Sequence, residues 1–184
     1  MIEMIKILSI DQSLNCSGYC VVELNDKNDD FILIKHGFYK PKSTKSEEKI
    51  LENCLFFNDL IKTEKIELVL LENIQAQKSL NTFKVLAMLL GALLEVIDLN
   101  HCDYMIIPPA TWRKILKVKR GTKRKELKQL SKKFVLNKFG LDVIDDVSDA
   151  IVMMCYFIEN QFKEENDGSF YNNCRSCIND KNLA

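Results

Sequence analysis

The sequence predicts an α/β fold: a central mixed five-stranded sheet, three antiparallel strands followed by two parallel ones, flanked by helices. Three observations predict it. Residues 5–39 hold three short apolar runs separated by polar turns, the pattern of a meander. From residue 46 onward, segments with a helical apolar period alternate with runs too brief for a helix. Two of the brief runs end in a lone acid, Asp11 and Glu72, as buried strands do when they deliver a polar group at their carboxyl ends.

The elements follow in order. Residues 5–10 and 18–24 are strands joined by the polar turn 12–17, and residues 31–39 form a third after the loop 26–30. Residues 46–63 are apolar at Ile50, Leu51, Cys54, Leu55, Phe57 and Leu60, which predicts an amphipathic helix with Ser46 as its N-cap. Residues 67–71 are a buried strand ending at Glu72, residues 80–99 a long apolar helix, and residues 104–107 a strand stopped by Pro108 and Pro109. A short helix over 110–116 carries Trp112 and Arg113. Gly121 opens a loop, residues 123–139 are helical with Gly140 as C-cap, and the last helix spans 145–162. Residues 1–162 form one domain, and the polar segment 163–184 is expected to be a flexible tail.

At 184 residues and 47% hydrophobic content, the chain buries a sizeable core without disulfides. Its seven cysteines, Cys16, Cys20, Cys54, Cys102, Cys155, Cys174 and Cys177, are odd in number and mostly set in apolar segments, so free thiols in a reducing, intracellular compartment are expected. Cys174 and Cys177 have C-x-x-C spacing, but a single pair reads as incidental thiols rather than a zinc site. No secretory leader is read. The longest apolar stretch, 85–97, contains Glu95 and is expected to be too short to span a bilayer.

A formal net charge of zero hides an asymmetry. Residues 113–133, RKILKVKRGTKRKELKQLSKK, hold 11 basic residues and one acidic, a net +10. The remainder of the chain is net −10. A solvated helix face mixes signs, so this segment reads as an electrostatic site for a polyanion, with one face that binds phosphate.

Four acids stand out: Asp11 in KILSIDQS, Glu72 in LVLLENIQ, and Asp146 and Asp149 in DDVSDAIVMM. The last two are spaced i, i+3 and share one helix face. If the strands are neighbours and the helix crosses them, four carboxylates meet in a small volume. That is costly unless divalent cations neutralise it, and hard oxygen ligands suit Mg2+ or Mn2+. Neither His36 nor His101 sits in a pattern that suggests a base.

A meander followed by helix, strand, helix, strand and helices is the order of an RNase H-like fold, and the motifs add a family resemblance. IDQSLNCSGYCVV, LLENIQ and DDVSDAIVMM, in this order, resemble the acidic motifs of RuvC-type Holliday junction resolvases of the viral and phage branch. The tail YNNCRSC resembles the end of poxvirus resolvases. The resemblance covers residues 5–162 and implies an RNase H-like RuvC-type nuclease domain. It implies that Asp11, Glu72, Asp146 and Asp149 hold two Mg2+ ions, with Mn2+ as a substitute; Asp146 is expected rather than its neighbour Asp145, which a one-residue step turns away by about 100° on a helix. Lys114 and Lys125 look like the family's two functional lysines, with Lys125 the one near the scissile phosphate. Arg113, Lys114, Lys117, Lys119, Arg120, Lys123, Arg124, Lys125 and Lys128 are expected to contact DNA.

The implied activity is magnesium-dependent endonucleolytic resolution of four-way junctions by paired symmetrical nicks that leave 5′-phosphates, in viral or phage recombination or replication. Branched DNA and a second copy of the chain are the expected partners, with no membrane and no nucleotide cofactor. Residues 80–99 are apolar on more than one face, so one face is expected on the sheet and the other across a two-fold axis; a wholly internal helix is the plainer reading. Three residues after Glu72, where bacterial relatives carry an aromatic, this chain has Gln75, and Phe83 or Tyr19 would have to substitute. A flap or RNase H-like nuclease, a non-catalytic junction-binding module and an actin-like ATPase are the alternatives. The last needs two such domains and more chain.

Overall fold

β1 (Met4–Asp11), β2 (Ser17–Asn25) and β3 (Phe31–Tyr39) form an antiparallel meander, and β4 (Leu68–Glu72) and β5 (Asp103–Ile107) extend the sheet in parallel with β1. The computed structural model describes residues 4–25, 31–75, 79–119 and 121–161. Strand order is β3-β2-β1-β4-β5, so the mixed five-stranded sheet is the one the sequence predicts. The expected loop 26–30, Arg120, Phe162 and the tail 163–184 with Cys174 and Cys177 lie outside the described residues.

β1 is central because Ile7, Leu8, Ser9 and Ile10 are all buried, and successive side chains enter opposite layers. Ile7 joins Val22, Leu70, Trp112, Val147 and Ile151 on one side of the sheet. Leu8 and Ile10 join Val69, Leu71, Phe57, Leu89, Leu93 and Ile97 on the other. Each fully buried aliphatic side chain stabilises the fold by about 1.5–3 kcal/mol.

The first layer is covered by α5 (Asp145–Gln161) and α4 (Arg124–Phe139), the second by α1 (Ser46–Glu64) and α2 (Leu80–Leu99). α3 (Pro109–Trp112) runs into a 3-10 turn, Arg113–Leu116, that ends at Lys117 with φ 51°, so the expected helix over 110–116 divides in two. Gly140 closes α4 in the left-handed region, φ 70°, as expected of a C-cap.

Two helices correct the sequence reading. α1 buries Ile50, Asn53, Phe57, Leu60 and Ile61, whereas Leu51 and Leu55 are exposed. Its buried stripe is completed by a hydrogen-bonded asparagine, which apolar periodicity does not register. Ser46 is its first helical residue, and the cap position falls to Lys45 without a side-chain hydrogen bond.

α2 is not an internal helix. It buries Leu89, Leu93 and Ile97 and leaves Leu80, Phe83, Met88 and Leu99 exposed. Its twenty residues, with a mean hydropathy of 1.8 over an 18-residue stretch, are by length and composition enough to cross a membrane, which the stretch 85–97 alone is not. Its buried edge packs against α1 and the sheet, and the rest of its surface is open.

Candidate active site

The sheet places the first two acids. Asp11 is the last residue of β1 and Glu72 the last of β4, one step past the final pair of the parallel ladder, Ile10–Leu71. Strands in that ladder lie about 4.8 Å apart. Alternation puts both side chains in the layer under α5, because the preceding residues Ile10 and Leu71 face the α1 layer.

α5 brings the other two. Its position is fixed at three points: Ser9 Oγ donates to the Ala150 carbonyl at 2.9 Å, the Cys20 thiol donates to the same oxygen at 3.6 Å, and the main chain of Asp146 rests against Gly18. Gly18 pairs with Asp11 across β1 and β2. The first turn of α5 therefore lies over the carboxyl ends of β1 and β4, and Asp11, Glu72, Asp146 and Asp149 line one cavity of about 70 Å³.

Electrostatics reflect the crowding. Burial, and then repulsion from Glu72, Asp149 and Asp146, pushes the Asp11 carboxyl well above its ordinary value. Burial likewise raises Glu72 and Asp149, against opposing attraction from Arg113. Asp149 Oδ1 is buried without a hydrogen-bond partner. The Ser131 hydroxyl is near enough to draw the Asp149 pKa down, but it too completes no hydrogen bond of proper geometry. An orphaned buried carboxylate oxygen beside three further carboxylates is a donor set for a hard divalent cation. Among the described residues, no three His, Cys, Asp or Glu side chains are already drawn together as a ligand set. The acids face a shared cavity without converging on one point.

Cations complete the walls. Trp112 Nε1 donates to Glu72 Oε1 at 3.0 Å, and Arg113 reaches the same oxygen at 3.4 Å while lying 4.7 Å from the Trp112 ring centre. Lys128 Nζ lies 3.0 Å from Asp145 and 4.0 Å from Asp146. Asp145 does not line the cavity. Arg124 does, and its charge is felt at Glu72, whereas Lys125, one residue on, lines none of the described cavities. A one-residue step on a helix turns the side chain by about 100°. The cations that line the cavity with the acids are Arg113, Arg124 and Lys128, whereas Lys125, expected near the scissile phosphate, is exposed beside them. Lys114, Lys117, Lys119, Lys123 and Lys125 are exposed, while Arg113 and Lys128 are half-buried against acids.

Sequence reading missed the residues that hold the turn after Asp11. The Gln12 side chain accepts from the Glu72 N–H at 3.2 Å and donates to the Glu72 carbonyl, standing in for a strand residue where β1 and β4 diverge. Buried Asn53 accepts from Ser17 Oγ at 2.9 Å and donates to the Lys49 carbonyl, and Lys49 Nζ donates to Asn15 at 2.6 Å. Of the proposed aromatic substitutes, Tyr19 is core, edge-on to Phe57 at 6.2 Å, while Phe83 stays exposed on α2. A groove of about 730 Å³ leads from the acids past Asn15 to the starts of α1 and α2.

No protein-family model matches the chain, and no curated protein matches its sequence. Solved structures do. Thermus thermophilus RuvC, determined in complex with a Holliday junction substrate, is 13% identical with a TM-score of 0.67 over 85% of this chain and 96% of that one. The fowlpox virus resolvase, also determined with Holliday junction DNA, is 13% identical with a TM-score of 0.59 over 85% and 99%. The yeast mitochondrial Holliday junction resolvase is 14% identical with a TM-score of 0.61 over 89% and 82%. The chain thus has the RNase H-like fold of Holliday junction resolvases.

Proposed function

We propose that this protein is a divalent-metal-dependent DNA endonuclease that resolves four-way junctions by paired symmetrical nicks. The observation that carries the reading is a single cavity lined by four carboxylates from two strand ends and one helix, together with Arg113, Arg124 and Lys128 of the basic segment 113–133. The fold it shares with junction-bound resolvases supports the choice of substrate.

In this reading Asp11, Glu72, Asp146 and Asp149 hold two Mg2+ ions, with Mn2+ as a substitute. Held by these acids, such a pair would lower the pKa of a water to supply hydroxide at neutral pH and would stabilise the departing 3′ oxygen, so that cleavage would leave a 5′-phosphate and a 3′-hydroxyl. The four carboxylates orient that pair against the phosphate. Arg124 stands over the cavity and offsets charge that grows on the phosphate oxygens, while the exposed lysines hold the flanking backbone and set the register. Arg113 and Trp112 fix the rotamer of Glu72. Cleavage of a synthetic four-way junction beside duplex, flap and RNA–DNA hybrid substrates tests the assignment. Junction cutting by the wild type is expected to exceed the rest. Arg124→Ala is expected to lower kcat roughly 100- to 1000-fold, while Lys125→Ala weakens binding only. Preference for duplex or hybrid sinks the substrate class.

Two strands of a junction need two sites, and α2 offers the surface for a second copy. Leu80, Phe83 and Met88 are exposed along it, and Gly91 has open space where a side chain would stand, which admits close helix approach. Met88→Glu is expected to yield a monomer by light scattering and to convert paired cuts in a cruciform plasmid into single nicks. An unchanged dimer mass would move the interface elsewhere. A role in viral or phage DNA processing follows from the motif resemblance.

A further inference from the structure

Residues 38–45 present a second aromatic and cationic surface beside the catalytic cavity, apart from the 113–133 segment. Phe38 is 48% exposed and belongs to neither apolar core. Lys40 Nζ lies 5.3 Å from its ring centre. Phe38 pairs with Gly18, which pairs with Asp11, so all three stand in one row across the sheet. Directly paired residues of antiparallel strands share a face. The Phe38 side chain is therefore on the α5 side, next to the Asp146 main chain that fills the space Gly18 leaves. Two strand spacings place it roughly 10 Å from Asp11, about three nucleotides of rise.

The segment is also held in place. Tyr39 Oη donates to Glu52 at 3.2 Å, the Lys42 N–H at 2.7 Å and the Ser43 N–H at 2.9 Å. The Ser43 side chain and these donors hold the Glu52 carboxyl down to about 2. Residues 31–46 contain no acid, and Lys40, Lys42 and Lys45 are all exposed, with Lys45 3.3 Å from Glu48 at the surface. A solvated loop has no need of a half-exposed ring under a cation and three anchoring hydrogen bonds. Aromatic faces stack on bases of any sequence, and neighbouring cations take the backbone.

We propose that Phe38, Lys40, Lys42 and Lys45 form a second DNA contact, in which the Phe38 ring stacks on an unpaired base near the cleaved phosphate and the lysines bind phosphates of that arm. The inference rests on the reading of the cavity as a junction nuclease site. Its test is the affinity of the full chain for a synthetic four-way junction in chelator, by fluorescence anisotropy across a salt series. Phe38→Ala is expected to weaken binding roughly 5- to 150-fold with the salt slope unchanged. Lys40→Ala lowers the slope by about 0.9. Both keep the wild-type thermal midpoint, and Phe38→Trp restores affinity. Junctions with single abasic positions locate the base: at one position the loss matches that of Phe38→Ala and vanishes in the variant. Wild-type affinity and slope in both alanine variants overturn the inference and leave the nuclease reading standing. Failure of the wild type to bind junctions overturns both.

Discussion

Asp11→Asn is expected to lower the proposed junction cleavage by a factor of about a thousand or more, and at the same time to raise the melting temperature measured in chelator. The two effects have one cause. Asp11 is half-buried beside Glu72, Asp149 and Asp146, and its ionised form is disfavoured in the folded state. Removing the charge relieves repulsion, and each kcal/mol relieved moves the midpoint of a chain this size by roughly 2–4 °C. If the four acids hold Mg2+ as proposed, the ion at a hundred times its Kd is expected to stabilise the wild type by about 2.7 kcal/mol and to leave Asp11→Asn nearly unmoved. A mutant that cuts at the wild-type rate, or that melts lower in chelator, removes Asp11 from the site.

The same cluster sets a pH dependence. Asp11, Glu72 and Asp149 all have folded-state pKa values above the ordinary ones of 3.8 and 4.5. A folded state that binds the proton more tightly gains stability as pH falls through the raised value, and the gain is complete below the ordinary one. Glu52, held at about 2 by Ser43, Lys42 and Tyr39, acts in the opposite sense, since its stabilisation is present above 4.5 and lost as pH falls toward 2. Metal-free protein is therefore expected to gain stability from these acids as pH falls from neutral into the mildly acidic range, and Asp11→Asn to flatten that gain. Thermal melts in chelator between pH 4 and 8 report it.

The sheet was legible because its central strands are buried on both faces, so ILSI and LVLL read as continuous apolar runs that end in an acid. The shared helix face of Asp146 and Asp149 was legible from spacing alone. What escaped the sequence are contacts that depend on rotation and on main-chain geometry. Arg124 and Lys125 differ by one step at a helix start, and no composition argument decides which faces the cavity. Arg113 belongs to a run that reads as phosphate-binding, but a 3-10 turn sets it against Glu72. Gln12 acts through its side-chain amide as a substitute for backbone, and Asn53 takes a core position through hydrogen bonds. Hydrophobic periodicity sees neither.

Gly18→Ala is expected to damage stability and activity together, for a reason of space rather than conformation. A Cβ at this position falls 2.1 Å from the carbonyl carbon and oxygen of Asp146 and 2.5 Å from the Val147 nitrogen. These are backbone atoms, so no rotamer change relieves the contact. α5 has little freedom to retreat, since Ser9 holds Ala150, and Val147 and Ile151 are packed in the core. Overpacking of this kind costs about 1–3 kcal/mol, a fall of roughly 2–4 °C for each kcal/mol. Relief requires the first turn of α5 to shift by about 1 Å, which carries Asp146 and Asp149 away from Asp11, and a misplacement of that size costs about a hundredfold in rate. The rate loss should therefore persist well below the melting temperature, where the chain is fully folded. Cleavage at the wild-type rate by folded Gly18→Ala would mean that the acids of α5 need not sit where this close approach puts them.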